Sequence, residues 1–491
     1  MTVESIHDQI KREREAALPD PKQVRTYRDY AEGRQRVTIG PEQKRILGRA
    51  YCDDAADNVC DLVLATAAAR LELTGWAVDD EATQAFLDEL YIKNQVADFS
   101  YDGHYRAIRD GNHCVGLRWT PDDAAKRPQA FGGEDEARPT GGRVTLHHEP
   151  WWDGECGMFV AFDSSNQPIY AVKDFKQVMG DPPRERMRRT VYFADHFERY
   201  IKAGDGWQPF PLPTDPDGER PGFVPWTRRD GQPLGIPVVL LPNNRFGRAP
   251  YGASDLAGGL IGLQDEINDI QRDIIAAARL TAYQMVSATG IDGSAATKMR
   301  VGPGELIWAE NTAARIGPIP AGDMGQLLAT HQMKLASFAR LTRTPLHLIT
   351  GGDWPSGAAL LRAESPLVSK VTQMAKAIGP AWATIAHRAT EIANAFGGLA
   401  LNEEALITAQ FAPPEKLDEG SFAEIQLNRV NTMLKVAMIE DPVLLKATGI
   451  LTDDQIKELT KQRDKRRQQE LATASIGGSG PDDANGNPIN G

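Results

Sequence analysis

The sequence predicts an α+β fold, mainly helical, and three observations predict it. Apolar residues recur at spacings of three and four in long segments near the start and again beyond residue 251, the mark of amphipathic helices. Between them, "HCVGLRW", "RVTLHHEP", "MFVAFDS", "PIYAVKDF" and "RTVYFADHFERYI" are β-rich runs broken by Gly, Pro, Asn and Asp. At 491 residues the chain exceeds what one hydrophobic core supports, so two to four structural units are expected.

Composition narrows the function classes. With 41% hydrophobic residues, 25% charged residues and a net charge of -12, the chain reads as a soluble globular protein rather than a compact basic nucleic-acid reader. The longest apolar runs, such as "IPVVLLP" at 236–242, are far too short to span a bilayer, and no membrane partner is expected. "MTVESIHDQIKREREAALPD" has no apolar signal region, so synthesis in the cytoplasm without secretion follows. Cys52, Cys60, Cys114 and Cys156 are scattered without a C-x-x-C, which argues for reduced, mostly buried thiols.

Residues 1–40 form a mildly basic arm expected to be a solvated surface. Pro41 to Leu73 reads as a helix ending near Gly75, followed by helices over "DDEATQAFLDELYIKNQ" and "ADFSYDGHYRAIRDG". The β-rich runs follow, with 121–142 a long surface loop and the Pro- and Gly-rich 204–237 a connector. A helix over 251–280, β-like "QMVSATG" and "ELIWAE" within 281–322, and a second helix over 323–342 make an out-and-back excursion. "TRTPLHLITGGDWPSG" is a loop, with Ser356 as N-cap of a helix to about Phe396 that Pro366 and Pro380 should bend. Three shorter helices follow, the last opening on a capping box at Thr452 and Gln455, and "SIGGSGPDDANGNPING" should be disordered.

The helix over 251–280 carries the sharpest candidate. Leu256, Leu260, Leu263, Ile267, Ile270 and Ile274 lie on one stripe, Asp265, Glu266, Asp269 and Asp273 crowd one flank, and Gln264, Asn268, Gln271 and Arg272 take the other. Successive like charges at i,i+4 cost an isolated helix about 0.2–0.5 kcal/mol each, so an unpaired acidic strip needs a reason. The bland reading is a solvated face, or acids paired with Arg or Lys on a neighbour. In "GGDWPSG", Gly351 and Gly352 give backbone freedom beside Asp353 and Trp354, with Trp354 also readable as a packing anchor. Lys334, Arg340 and Arg343 lie close by in sequence and suit either phosphate or carboxylates of an adjacent subunit.

Metal and nucleophile chemistry have weak support. His147, His148, Glu149 and Asp153 are ligand-type residues, but adjacent histidines on a strand point to opposite faces and do not easily share one ion. No H-E-x-x-H, G-x-x-x-x-G-K-[ST] or G-x-S-x-G occurs in the sequence. No catalytic residue, metal site or cofactor is expected.

In the order "NVCDLVLATAAARLELTGW", "AIRDGNHCVGL", "GIPVVLLPNN" into "YGASDLAGGLIGLQDEIN", and "WPSGAALLRAESPLVSK", the chain resembles the portal proteins of tailed bacteriophages, SPP1 type, over roughly residues 45–470. The resemblance implies a subunit with a wing over 1–250 (arm 1–40), a first stem helix over 251–280, a clip over 281–322 and a second stem helix over 323–342. A tunnel loop over 343–356, a long kinked helix returning to the wing over 357–412, a helical crown over 413–474 and a tail over 475–491 complete it. It further implies a homo-oligomeric ring, normally of twelve subunits, at one capsid vertex of the virion, with a channel for double-stranded DNA read without sequence specificity. Packaging, ejection and docking of the terminase large subunit, head-completion or adaptor proteins, and major capsid and scaffolding proteins belong to that role. The family is not enzymatic. On the resemblance, the stem acids face the channel or the subunit seam, and an acidic wall would let a duplex slide without a deep bound state. A second reading is a non-portal head or connector component that binds only other virion proteins, and a third is a metal-dependent hydrolase using His147 and neighbouring acids.

Overall fold

The computed structural model describes residues 5–18, 20–35, 41, 57–122, 141–179, 183–211, 220–228, 230–245, 249–282, 286–289, 313, 315–318, 324–351 and 357–415. Helices α1 (Ile6–Ala17) and α2 (Lys22–Ala31) open the chain, the first capped by the Ser5 hydroxyl, which accepts from the Asp8 amide. The arm is not a solvated surface: Ile10 and Val24 are fully buried in a core with Trp151, Phe159 and Tyr170. A four-residue apolar spacing from Ile6 to Ile10 on an otherwise charged helix is enough to dock it, and the charges beside it find partners in the sheet described below.

Helix α3 (Val59–Arg70) is apolar almost all round, and a helix of that kind belongs in a core. Asn58 caps it by accepting from the Asp61 amide. The expected continuation to Gly75 fails because Leu73–Ala77 is a strand, β1, paired antiparallel with β13 (Thr408–Phe411) in the register Leu73↔Phe411. Pairing with a partner more than three hundred residues away overrides local helix propensity. Helices α4 (Glu81–Lys93) and α5 (Val96–Asp110) match the sequence reading; Asp80 caps the former through the Thr83 amide at 2.8 Å.

Two sheets follow. Strand β2 (Asn112–Pro121) is the centre of a three-stranded sheet of order β10-β2-β3, with β3 at Gly142–Glu149 and β10 at Val238–Pro242. Strands β4 (Gly157–Phe162), β5 (Pro168–Met179), β6 (Arg184–Tyr192), β7 (His196–Ala203) and β8 (Gly206–Pro209) form an antiparallel meander, and β9 (Phe223–Pro225) pairs with β7. The expected connector over 204–237 therefore contributes β8 and β9, and Trp226 and Leu234 from it are buried. Strands of three and four residues are too short to display an alternation. Most of the predicted loop over 121–142, residues 123–140, lies outside the described residues.

The excursion then appears. Helix α6 (Leu260–Ala282) leads to β11 (Val286–Thr289), which pairs antiparallel with β12 (Arg315–Pro318), and α7 (Met324–Thr342) returns. The helix begins nine residues later than expected, because Gly258 and Gly259 take φ of +75° and +91°, a left-handed backbone that a helix cannot include. Helix α8 (Leu346–Thr350) and the long α9 (Gly357–Ile392), with Pro366 and Pro380 inside it, run on into a π-helical turn at Ala393–Gly397. "ELIWAE", the Ser356 cap, the crown beyond residue 415 and the tail lie outside the described residues.

Candidate functional site

The α6–α7 hairpin is the feature that sequence reasoning marked and the fold isolates. Its inner side is packed: Leu256, Leu260 and Ile267 of the predicted stripe are buried with Leu335 and Phe338 of α7, while Leu263, Ile270 and Ile274 are half-buried. Of the expected α7 face, Leu328 is 46% exposed and His331 half-buried, so full burial is reached only in the half of the helix nearest Thr342.

The polar flank is the surprise in burial. Gln264, Asn268 and Arg272, one helical turn apart, are 0%, 1% and 3% exposed. The Gln264 side-chain amide donates to the Asp57 carbonyl at 2.6 Å, and the Asp57 amide donates to Asn268 Oδ1 at 3.0 Å. Amides at four-residue spacing beside an apolar stripe are the signal that could have revealed a buried polar ridge.

The acidic strip is not unpaired. Tyr30 Oη of α2 donates to Asp265 Oδ1 at 2.7 Å, Lys334 Nζ of α7 lies 2.5 Å from Glu266 Oε2, and Arg272 pairs with Asp269 one turn away. Glu266, Asp269 and Asp273 are exposed, whereas Asp265 is half-buried. A helical wheel shows which residues share a face, but a partner brought from α2, 235 positions away, is invisible to it.

The base of the hairpin is held by a buried ionic knot. Lys370 of α9 pairs with Asp255 and also donates to the Thr342 carbonyl at 3.0 Å, tying the approach to α6 and the end of α7 to the long helix. Asn243 donates to the same carboxylate at 2.9 Å, and Asp255 is itself nearly solvent-free. Gly111, with φ +85°, passes under this segment; a Cβ there would lie 2.8 Å from the Ser254 amide nitrogen, so only glycine fits. Two residues before the first proline, Glu364 of α9 forms a two-pronged pair with Arg70 of α3 at 3.1 and 3.2 Å.

The remaining sequence candidates do not converge. Lys334 is taken by Glu266 in mid-helix, Arg340 is exposed at the far end of α7, and Arg343 sits at φ +56° with its guanidinium 3.4 Å from Gln373. Gly351 terminates α8 at φ +62°, and Gly352, Asp353 and Trp354 lie outside the described residues. His147 and His148 diverge as the strand pleat predicts: His147 Nε2 is 3.3 Å from Glu149, and His148 stacks on Phe99 and meets His113 at 2.9 Å. Asp153 is held by Arg25 and Arg28 of the arm. Cys60 and Cys114 are buried free thiols and Cys156 is half-buried; Cys52 is outside the described residues.

No helix among the described residues is long and apolar enough to cross a membrane. No family model matches the sequence, and no curated protein matches it. Among solved structures, the chain is similar to one described as the neck of an empty GTA particle computed with C6 symmetry, at 14% identity, covering 88% of this chain and 96% of that one, with a TM-score of 0.38.

Proposed function

We propose that the chain is a subunit of a phage portal, a ring at one vertex of a virion capsid through which double-stranded DNA passes. The observation that carries the reading is the α6–α7 hairpin. Two antiparallel helices leave the body of the subunit, carry the β11–β12 pair between them, and return to a root locked by Lys370 and Asp255. Along its length α7 presents Leu328, Met333 and Leu341 to solvent at 46%, 60% and 59% exposure. Large apolar side chains left out on a projecting element suit burial between copies. The ordered resemblance of four sequence stretches to portal proteins supports the same reading.

In this role the subunit performs no chemistry of its own; it positions DNA and docks the packaging terminase, head-completion proteins and capsid proteins. Asp265 belongs to the scaffold because Tyr30 takes it up, and Glu266 and Asp269 pair with Lys334 and Arg272 within the hairpin, so it is an exposed but partnered flank, shared with Asp273, that faces the lumen or the subunit seam. Cations on that flank that are already taken up by carboxylates offer phosphates no free counter-charge, so no register of the duplex is trapped.

Negative-stain electron microscopy of the purified chain is the test. Closed rings with a hole wide enough for a duplex are expected. Particles that stay monomeric or form only open assemblies at all concentrations would replace the reading with a head component that binds protein alone. In rings that do form, Asp269→Asn with Asp273→Asn should preserve the ring and alter DNA retention; loss of the ring instead assigns these acids to the seam.

A further inference from the structure

A cavity of about 430 Å³ separates the β2–β3 sheet from the face of β5–β7. Strand pleating decides what lines it. On one wall, β2 pairs with β3 in the register Arg118↔Thr145 and Gly116↔His147, which sets Arg118, His147 and Glu149 on a common side. On the other, Lys173 of β5 pairs with Thr190 of β6, and Thr190 pairs with Arg199 of β7, so the two cations stand in one row across three strands. Two residues along, Tyr192 pairs with Phe197, and Trp226 closes the end, its ring 5.0 Å from Phe197.

The charges do not balance. Glu149, 2% exposed, is answered by Lys173 Nζ at 2.6 Å and by His147 at 3.3 Å. Arg118 reaches only the Thr145 hydroxyl, at 3.4 Å, and neither Arg118 nor Arg199 has a carboxylate partner among the described residues. Two guanidinia with open forks beside a wall of aromatic rings are the complement of an oxyanion attached to a planar ring. The volume falls within the range of about 300–1,000 Å³ of small-molecule pockets.

The geometry points to a binding site for a small planar organic anion, a nucleoside monophosphate being the class that uses both features. The phosphate is taken by Arg118 and Arg199, the base lies against the Phe197 and Trp226 side, and Glu149 offers an acceptor for an amino or hydroxyl group of the ligand. The site lies within one subunit, so it stands or falls apart from ring formation. The same chemistry is offered by a free mononucleotide and by the 5′-phosphate end of a strand.

Isothermal titration of the full chain with adenosine monophosphate, adenosine and inorganic phosphate tests the site, alongside Arg118→Gln and Arg199→Gln variants whose melting is first matched to the parent. One nucleotide per chain is expected, with adenosine and phosphate each weaker by at least about tenfold and each variant weakened by at least about tenfold, roughly 1.4 kcal/mol. Competition by a 5′-phosphorylated oligonucleotide assigns the source to a strand end, and its failure assigns it to the free nucleotide. No heat with the nucleotide at millimolar concentration, equal binding of adenosine, or unchanged binding by both arginine variants overturns the proposal.

Discussion

Trp382 Nε1 donates to His104 Nε2 at 2.8 Å, while His104 Nδ1 donates to the Leu71 carbonyl, also at 2.8 Å. The pair joins α9 to α5 and selects one neutral tautomer, since the indole can only donate. Complete burial lowers the His104 pKa from 6.5 to about 4, against the opposing pull of the Leu71 carbonyl. The stability held by the neutral ring is therefore full above pH 6.5 and is lost as pH falls toward about 4. Denaturant midpoints measured across that interval should decline, and His104→Gln should make the decline shallower. His148, also pushed to about 4 by burial, keeps part of the slope in that variant. An unchanged slope in His104→Gln would exclude this ring as the source.

The arm is tied down by Asp174, which lies 2.6 Å from Arg14 of α1 and 2.8 Å from Arg189 of β6 through both carboxylate oxygens. Burial pushes its carboxyl up, but the Arg189 hydrogen bonds and the Arg14 charge outweigh it, and the pKa ends below the usual 3.8. The contribution is full above that ordinary value and disappears as pH falls through the depressed one. Asp174→Asn leaves two guanidinia buried without a counter-charge and should cost about 3–5 kcal/mol. Urea unfolding gives the magnitude, and limited proteolysis should cut the arm of the variant first.

Lys370→Met should loosen the root of the hairpin by a similar mechanism, stranding Asp255, whose side chain is 4% exposed, at a cost of about 3–5 kcal/mol. Hydrogen exchange should accelerate in the first turn of α6 and the last turn of α7, with α1 and α2 unaffected. Uniform acceleration throughout the chain would show that the pair supports the whole fold rather than the root.

The Glu266–Lys334 pair bridges the two helices at the surface, with the carboxylate side chain 56% exposed. Solvent screening limits it to at most about 1 kcal/mol. Glu266→Lys should lower the thermal midpoint slightly, and adding Lys334→Glu should restore it. A double reversal no better than the single change would mean that the two side chains do not pair in solution.

Much of the architecture was legible in the sequence because it is written in local periodicity. The helices at 81–93, 96–110, 324–342 and 357–392 and the strands from 112 to 203 follow from spacing, caps and turn residues. The out-and-back excursion was legible for the same reason. The candidate site was legible only as two faces of a wheel: the stripe through Leu260 and Ile267 packs as read, whereas the partners of the acids, Tyr30, Lys334 and Arg272, come from contacts the wheel does not show.

What tertiary structure decided lies between residues distant in sequence. Docking of the arm depends on Asp174, 160 positions from Arg14; the loss of Asp265 to Tyr30 depends on α2 reaching α6; the strand at 73–77 depends on residues 408–411. The burial of Gln264, Asn268 and Arg272 likewise depends on a main chain supplied by Asp57. By itself the sequence determined which residues lie on each face of an element, because backbone geometry repeats every 3.6 or 2 residues. Which of those faces meets water, and which charge meets which, was decided only when the chain closed on itself, because burial and ion pairing are set by neighbours in space.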